Sequence, residues 1–127
     1  MSGRDKYILD TNAIISLLDG NTKLNDLIKN AEWIGISVIS ELEFLSYPQL
    51  DEADVSLFNT FKGLIEVVDI ANSNIPLMRS IIEIRTKYKV KLPDAVIVAV
   101  AMNSDAILLT DDKQLLGLFR NITQALP

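Results

Sequence analysis

Short apolar runs alternate along this chain with stretches in which apolar residues recur at helical spacing. The runs at residues 7–9, 33–36, 64–68 and 106–109 are too short for helices and are bounded by polar or turn-forming residues, which predicts four buried strands. Ile122 and Thr123 can add an edge strand. Because strands that alternate with helices are joined by crossovers, the pattern predicts an α/β fold in three layers, with a central, mainly parallel sheet flanked by helices.

Capping and helix-breaking residues set the expected helix limits. We expect helices at residues 12–18, from Thr22 as the cap to about residue 30, from 38 until Pro48, and at 51–62. A further helix opens at Ser73 or Asn74 with Pro76 and reaches about residue 88, and two more cover residues 93–103 and 113–120. Apolar residues in the third of these helices recur at Val38, Ile39, Leu42 and Leu45. The helix at 93–103 is apolar on every side, so we expect it to be central and buried.

Composition limits the chemistry that this chain can use. Its 127 residues are 49% hydrophobic, enough for one domain spanning residues 1–127, and they include no cysteine and no histidine. Thiolate metal sites and histidine general bases are therefore excluded. A formal net charge of −5 also argues against binding nucleic acid through a generally basic surface.

The distribution of charge and hydropathy gives an expected location. Residues 1–6 are charged rather than apolar, and the longest apolar run, residues 95–102, is far shorter than the roughly 20 residues of a bilayer span. We therefore expect a cytoplasmic protein with no membrane partner.

Four acids fall where the helices of a parallel sheet begin. Asp10 follows the first strand, Glu41 lies near the start of the helix after the second, and Asp112 follows the fourth, while Asp94 opens the buried helix. Helix capping explains any one of them, since carboxylates are favoured in the first turn. Capping does not explain why Asp94 is the only charge in residues 92–103. The carboxyl edge of the sheet, where ligands bind in such folds, is therefore the candidate site.

Clustered carboxylates need a proton or a cation. Two carboxylates about 4 Å apart repel by roughly 4 kcal/mol at an effective dielectric constant near 20. With only oxygen ligands available, Mg²⁺ or Mn²⁺ fits such a cluster best. A bound ion of this kind activates water and stabilises charge on a phosphodiester, so histidine is unnecessary.

Four segments resemble the acidic motifs of the PIN-domain nucleases, in the order and approximate spacing of that family. They are Ile8-Leu9-Asp10-Thr11-Asn12, Ser37-Val38-Ile39-Ser40-Glu41-Leu42-Glu43, Leu92-Pro93-Asp94-Ala95-Val96-Ile97-Val98-Ala99 and Leu109-Thr110-Asp111-Asp112. The resemblance covers nearly the whole chain and implies a PIN-like fold. In length the chain is similar to the VapC-type toxins of toxin–antitoxin pairs.

The resemblance implies a role for each matched residue. Asp10 and Asp94 would be the principal metal ligands, and Glu41 and Asp112 would complete the catalytic, metal-binding site. Thr110 would orient a carboxylate or a water. The family motif favours Asp112 over Asp111 as the fourth acid, but which of the two points inward stays open. Asn12, a further supporting candidate, either assists the site or caps its helix.

Two neighbouring features have competing interpretations. Glu43 lies two positions from Glu41, so on a helix it faces nearly the opposite way and is expected to be solvated. Residues 85–91 hold four basic residues and an aromatic but no acid, directly before Asp94. They are either a solvated helix end or an RNA-binding groove. The residues concerned are Arg85, Lys87, Tyr88, Lys89 and Lys91.

Together these expectations describe a Mg²⁺- or Mn²⁺-dependent endoribonuclease. The family resemblance further implies an RNA substrate, a small antitoxin partner and a homodimer. The alternative is a PIN-like module that binds RNA or protein without cutting. Retention of all four acids favours the enzyme.

Overall fold

One or two helices follow each of the first four strands in residues 5–127, the part of the chain that the computed structural model describes; residues 1–4, part of the charged start of the chain, lie outside it. The strands are β1 (Lys6–Leu9), β2 (Trp33–Ser37), β3 (Glu66–Val68), β4 (Ile107–Leu109) and β5 (Thr123–Gln124). The helices are α1 (Thr11–Leu18), α2 (Thr22–Lys29), α3 (Val38–Leu45), α4 (Glu52–Lys62), α5 (Ile75–Tyr88), α6 (Leu92–Asn103) and α7 (Lys113–Leu118).

The five strands form one sheet in the order β3-β2-β1-β4-β5, and every neighbouring pair is parallel. Ile8 in β1 is in register with Gly35 of β2 on one side and Leu108 of β4 on the other. The chain builds the sheet outward from β1 to β3 and then returns to place β4 against the other side of β1. The carboxyl end of β1 is therefore a switch point in strand order, where such sheets bind ligands.

The two faces of the sheet are covered by separate hydrophobic layers. Alternating side chains of β1 point in opposite directions, so Ile8 packs with α5, α6 and α7. Tyr7 and Leu9 pack on the other face with residues of α1 to α4. The expected three-layer α/β fold with a parallel sheet is confirmed. Within residues 5–127, no helix is long and apolar enough to cross a membrane.

Helix α6 is central, as its apolar sequence predicts. All seven residues from Ala95 to Ala101 are buried. Val98 and Ala99 are inaccessible to solvent. Asp94 lies in the first turn of this helix, so its position is fixed by a helix that is packed on every side.

Three element limits differ from the sequence expectation for local reasons. Asn21, rather than Thr22, caps α2, because its side-chain oxygen accepts a hydrogen bond from the Leu24 amide. Leu64 is 82% exposed and still belongs to the turn after α4, so β3 begins later, at Glu66. Helix α7 ends at Leu118, and Phe119 packs into the core instead of continuing the helix.

The buried side of α3 is not the side that its apolar residues suggest. Ser40 and Phe44 are buried, whereas Leu42 and Leu45 are 56% and 40% exposed. The Ser40 hydroxyl is wholly buried and has no hydrogen-bond partner among the described residues. A buried polar group without a partner loses its water contacts and gains nothing in return.

We therefore predict that Ser40→Ala stabilises the protein by about 1 kcal/mol, from removal of the unsatisfied hydroxyl and the higher helix propensity of alanine. Urea denaturation followed by fluorescence of Trp33, the chain's one tryptophan, measures the change. Ser56→Ala, at an exposed position of α4, is the control for helix propensity alone. A gain no larger than that of Ser56→Ala contradicts the prediction.

Candidate functional site

The carboxyl edge of the sheet holds a cleft of about 480 Å³, which we call the acidic cleft. Asp10 directly follows β1, α3 directly follows β2, and residues 110–112 directly follow β4. The adjacency of these three strands brings segments far apart in sequence to one place. The cleft is lined by Asp10, Thr11, Asn12, Glu43, Ser46, Tyr47, Asp94 and Asp112.

Asp10 is the most buried acid of the cleft, with 7% of its surface exposed. The Thr110 hydroxyl donates to its Oδ2 atom at 2.6 Å, and the Thr11 amide donates to its Oδ1 atom at 2.6 Å. The same Thr110 oxygen accepts from the Asp112 amide at 3.0 Å. Thr110 thus fixes both the Asp10 carboxylate and the backbone of the loop after β4.

Asn12 links the first strand to that same loop. Its Nδ2 atom donates to Asp10 Oδ2 at 3.4 Å, and its Oδ1 atom accepts from the Asp111 amide at 3.2 Å. Asn21, Ser37 and Asp10 supply the caps of the neighbouring helices, so Asn12 is not needed as a cap. Its position is that of a residue supporting the site.

The two consecutive aspartates after β4 point in different directions. Asp112 lines the acidic cleft and also caps α7 by accepting from the Leu115 amide at 3.0 Å. Asp111 Oδ1 instead accepts from the Leu126 amide at 3.3 Å, in the segment that follows β5. The structure therefore places Asp112 in the cleft and Asp111 outside it.

The expectation for the second motif needs correction, because Glu43 and not Glu41 lies in the cleft. Glu41 Oε2 pairs with Lys62 Nζ of α4 at 2.6 Å, on another side of α3. Glu43 Oε1 accepts from the Thr11 hydroxyl at 2.7 Å, which ties α3 to the start of α1. Glu43 is exposed, but it faces the cleft rather than bulk solvent alone. Because the side of α3 that faces α1 carries Glu43, it is Glu43 and not Glu41 that reaches the cleft.

Asp94 lies in the first turn of α6, half-buried in the cleft. No side-chain cap hydrogen bond forms at the start of this helix. Capping therefore does not account for Asp94, although it is one function of Asp10 and Asp112. Asp94 is the cleft acid with the weakest structural explanation.

The cleft carboxylates destabilise one another's charge. Burial raises the pKa of Asp10, and the charges of Glu43 and Asp112 raise it further, against the hydrogen bonds from Thr110 and Thr11. Burial also raises the pKa of Asp94, with Asp112, Asp10 and Glu43 adding to the rise and Lys91 opposing it. The only ion pair in residues 5–127 is that of Glu41 with Lys62, so none of the cleft acids has a cationic partner there.

The donors of the cleft fit a hydrated divalent ion. Within residues 5–127, no three acidic side chains form a ready-made closed metal site. Mg²⁺ does not require one, because it keeps several waters and is commonly held through one or two carboxylates. The cleft offers only oxygen ligands and carries uncompensated negative charge, the donor chemistry that Mg²⁺ or Mn²⁺ prefers.

The basic segment forms the connection between α5 and α6, beside the cleft. Lys87, Lys89 and Lys91 are exposed, and Lys91 directly precedes α6. Arg85 is exposed in the last turn of α5. Tyr88 is half-buried instead: its ring lies edge-on to Phe119 at 4.7 Å, and Lys87 Nζ lies 5.3 Å from the ring centre. The Tyr88 ring therefore packs mainly against neighbouring side chains of the protein.

Sequence reasoning missed Thr11, Ser46 and Tyr47 as cleft residues. Thr11 stands in the first motif directly after Asp10, so its place at the strand exit was a usable signal. Ser46 and Tyr47 follow α3, and nothing in their sequence context indicates that this turn comes back to the carboxyl edge.

Removing one cleft charge should stabilise the metal-free protein. A raised pKa means that the folded state binds the proton more tightly than the unfolded state, so ionised Asp94 lowers stability above its raised pKa. That cost fades as the pH falls through the raised pKa and is gone below the unfolded value, near 3.8. We predict that Asp94→Asn raises the Tm by a few degrees at pH 7 in chelator and that the gain vanishes below pH 4.

Thermal melts from pH 3.5 to 8, with Asp26→Asn of the exposed face of α2 as the charge-matched control, test this prediction. The control should show a smaller difference without the same loss toward low pH. A variant less stable than wild type at pH 7 would assign Asp94 a structural role instead.

Comparison with known proteins gives the family. A family model described as the PIN domain matches residues 7–121. No curated protein matches the chain. A toxin–antitoxin complex from Klebsiella pneumoniae contains a chain 22% identical to this one, with a TM-score of 0.75, and the match covers 93% of this chain and 95% of that chain.

Two further solved structures share the fold. VapBC2 from Rickettsia felis, bound to a promoter DNA fragment, gives 21% identity and a TM-score of 0.78 over 96% of this chain and 99% of that chain. DNA-bound VapBC from Salmonella typhimurium gives 20% identity and a TM-score of 0.68 over 96% and 98%. At such identities the likeness concerns the fold, whereas the family model spans nearly all of the described chain. The chain therefore belongs to the PIN domain family.

Proposed function

We propose that this chain is a Mg²⁺- or Mn²⁺-dependent endoribonuclease, working as a single domain, and the toxin of a toxin–antitoxin pair. The observation that carries the proposal is the acidic cleft, in which four carboxylates meet without a cationic partner from the described residues. The chain belongs to the PIN domain family, and the segments around its acids resemble the acidic motifs of PIN-domain nucleases.

The four carboxylates have distinct parts in this proposal. Asp10, Glu43, Asp94 and Asp112 would hold the ion in part directly and in part through its bound waters, with Glu43 in the place first expected for Glu41. When bound, Mg²⁺ or Mn²⁺ supplies an activated water and neutralises charge on the phosphate. Thr110 keeps the Asp10 carboxylate oriented through its 2.6 Å hydrogen bond, and Thr11 does the same for Glu43 at 2.7 Å.

RNA approaches an acidic protein only where local charge allows it. The basic segment of Arg85, Lys87, Lys89 and Lys91 borders the cleft at the start of α6 and supplies contacts for the phosphates that flank the cut bond. These contacts position the strand without reading its sequence. Tyr88, which packs on Phe119, supports this segment rather than stacking on a base.

The toxin part of the proposal rests on the similar structures. The structure from Klebsiella pneumoniae is described as a toxin–antitoxin complex, and those from Rickettsia felis and Salmonella typhimurium are described as VapBC proteins bound to DNA. We extend that arrangement to this chain as a homodimer that binds a small antitoxin and cuts cellular RNA in the cytoplasm. Sedimentation of the purified chain tests the dimer. Sequencing the neighbouring genes for a small reading frame, and co-expressing its product with this chain, tests the antitoxin.

The two glutamates of α3 provide a matched test of the active site. We predict that Glu43→Gln lowers the rate of RNA cleavage at least a hundredfold and reduces the thermal stabilisation by Mn²⁺, because it removes a cleft carboxylate. Glu41→Gln should cleave within a factor of about three of wild type and lose at most about 1 kcal/mol of stability, the usual limit for an exposed ion pair. The measurements are cleavage of mixed single-stranded RNA and melts with and without Mn²⁺.

The outcomes separate the candidate functions. A protein that retards RNA without shortening it in millimolar Mg²⁺ or Mn²⁺ is a binding module, and the enzymatic proposal fails. If Glu41→Gln abolishes cleavage while Glu43→Gln retains it, the assignment of the second acid is reversed.

The basic segment has its own test. We predict that changing Lys87, Lys89 and Lys91 together to alanine weakens RNA binding and reduces the slope of log K against log salt, since fewer counterions are released. The control changes Lys23 and Lys29, which are exposed on α2 away from the cleft, to alanine. Equal affinities and slopes for the triple variant and wild type would leave the segment as a solvated helix connection.

A further inference from the structure

Tyr47 is shared by the acidic cleft and a second concavity, an apolar groove of about 530 Å³ between α1, α3 and α4. The groove wall is formed mainly by Ile15, Leu18, Phe44, Pro48, Leu50 and Leu57. The two spaces are therefore neighbours, and Tyr47 forms part of the wall of each. A volume of this order lies within the range of pockets that enclose small organic groups.

The Tyr47 ring packs against the core on one side and is partly exposed to solvent. It is 45% exposed, and it meets the buried Phe44 ring edge-on, with centroids 6.4 Å apart. Phe44 in turn stacks on Phe58 at 4.8 Å. The Tyr47 amide donates to the Phe44 carbonyl at 3.3 Å, and the Tyr47 carbonyl accepts from Leu50 at 3.2 Å. An aromatic side chain on such a rigid support is suited to stacking.

Charges around the groove restrict what enters it. Its charged lining residues are Asp19 and Asp54, and no lysine or arginine is among the residues that line it. Carboxylates repel phosphate groups but accept hydrogen bonds from ring and amino N–H groups. An apolar groove with acidic margins therefore suits a flat heterocycle with N–H donors and excludes the phosphate to which that ring is attached.

We propose, on the basis of the ribonuclease function above, that this groove is a nucleobase subsite in which Tyr47 stacks on the base next to the cut phosphate. The phosphate lies in the acidic cleft, and the base of the adjoining nucleotide turns over Tyr47 into the groove. Proteins that bind single-stranded RNA commonly hold unstacked bases on aromatic side chains. Tyr47 is thus a residue that positions the substrate and contributes to sequence preference.

The other tyrosine beside the cleft lacks these properties. Tyr88 is half-buried, with Phe119 against its ring and Lys87 within cation–π distance. Less of the Tyr88 side chain than of the Tyr47 side chain is therefore exposed for stacking. The shared boundary of cleft and groove therefore selects Tyr47 as the base-binding aromatic.

The test uses a single-stranded oligoribonucleotide with 2-aminopurine placed in turn at each position, bound to the Asp94→Asn protein in Mg²⁺. We expect quenching of the probe at one position and about 5- to 100-fold weaker binding for Tyr47→Leu, which keeps bulk but removes the aromatic face. Tyr47→Phe should restore binding and quenching. Leu45→Ala, an exposed position of α3 outside both concavities, is the control and should bind as the parent does.

Kinetics in the otherwise unchanged protein separate this inference from the proposed function. If the parent cleaves RNA, Tyr47→Leu should raise KM more than it lowers kcat. Cleavage with unchanged KM and unchanged quenching overturns the subsite while the ribonuclease stands. Quenching that depends on Tyr47 without any cleavage supports the subsite and overturns the enzyme. Absence of oligonucleotide binding overturns the subsite. Loss of self-association as the sole effect of Tyr47→Leu also overturns it, because that result assigns the groove to a second copy of the chain.

Discussion

The parallel pairing of β1 with both β2 and β4 is the constraint on which the site depends. Parallel strands end at the same edge of a sheet, so the residues after β1 and β4 and the helix after β2 must begin side by side. The Asp10 amide donates to the Leu109 carbonyl at 3.1 Å, which extends this pairing into the site itself. The meeting of Asp10, Glu43 and Asp112 is therefore a consequence of the sheet topology, and the packing of the buried helix α6 adds Asp94.

The same carboxylates serve both folding and chemistry. Asp10 caps α1 and Asp112 caps α7, so each offsets free backbone N–H groups at a helix start. These capping hydrogen bonds keep the Asp10 and Asp112 carboxylates in the partly buried cleft, although their negative charges repel one another. Asp94 and Glu43 are not helix caps. Glu43 gains a hydrogen bond from the Thr11 hydroxyl, whereas Asp94 adds negative charge without capping its helix. A bound cation is the simplest source of compensation for that charge.

Opposite charges around the cleft divide the surface for an RNA strand. In the proposed function, the carboxylates would hold the reacting phosphate through a metal ion, and the lysines at the end of α5 and before α6 would contact the neighbouring phosphates. The apolar groove with Tyr47 would receive a base. Such a division would let a chain with a net charge of −5 act on a polyanion.

Local patterns in the sequence determined the strands, most helix limits, the buried α6 and the positions of Asp10, Asp94 and Asp112. Each follows from short-range physics: alternation of apolar residues, capping, proline, and the end of a strand.

The identity of the second glutamate did not follow from these local patterns. The apolar residues Leu42 and Leu45 suggested one buried face of α3, but the helix buries Ser40 and Phe44 instead. Rotation of α3 against α1 and α4 turns Glu43 into the cleft and Glu41 toward Lys62. Likewise, packing on Phe119 covers Tyr88, and the turn after α3 exposes Tyr47. Which face of a helix meets its neighbours depends on contacts between distant segments, so only the tertiary structure could decide it.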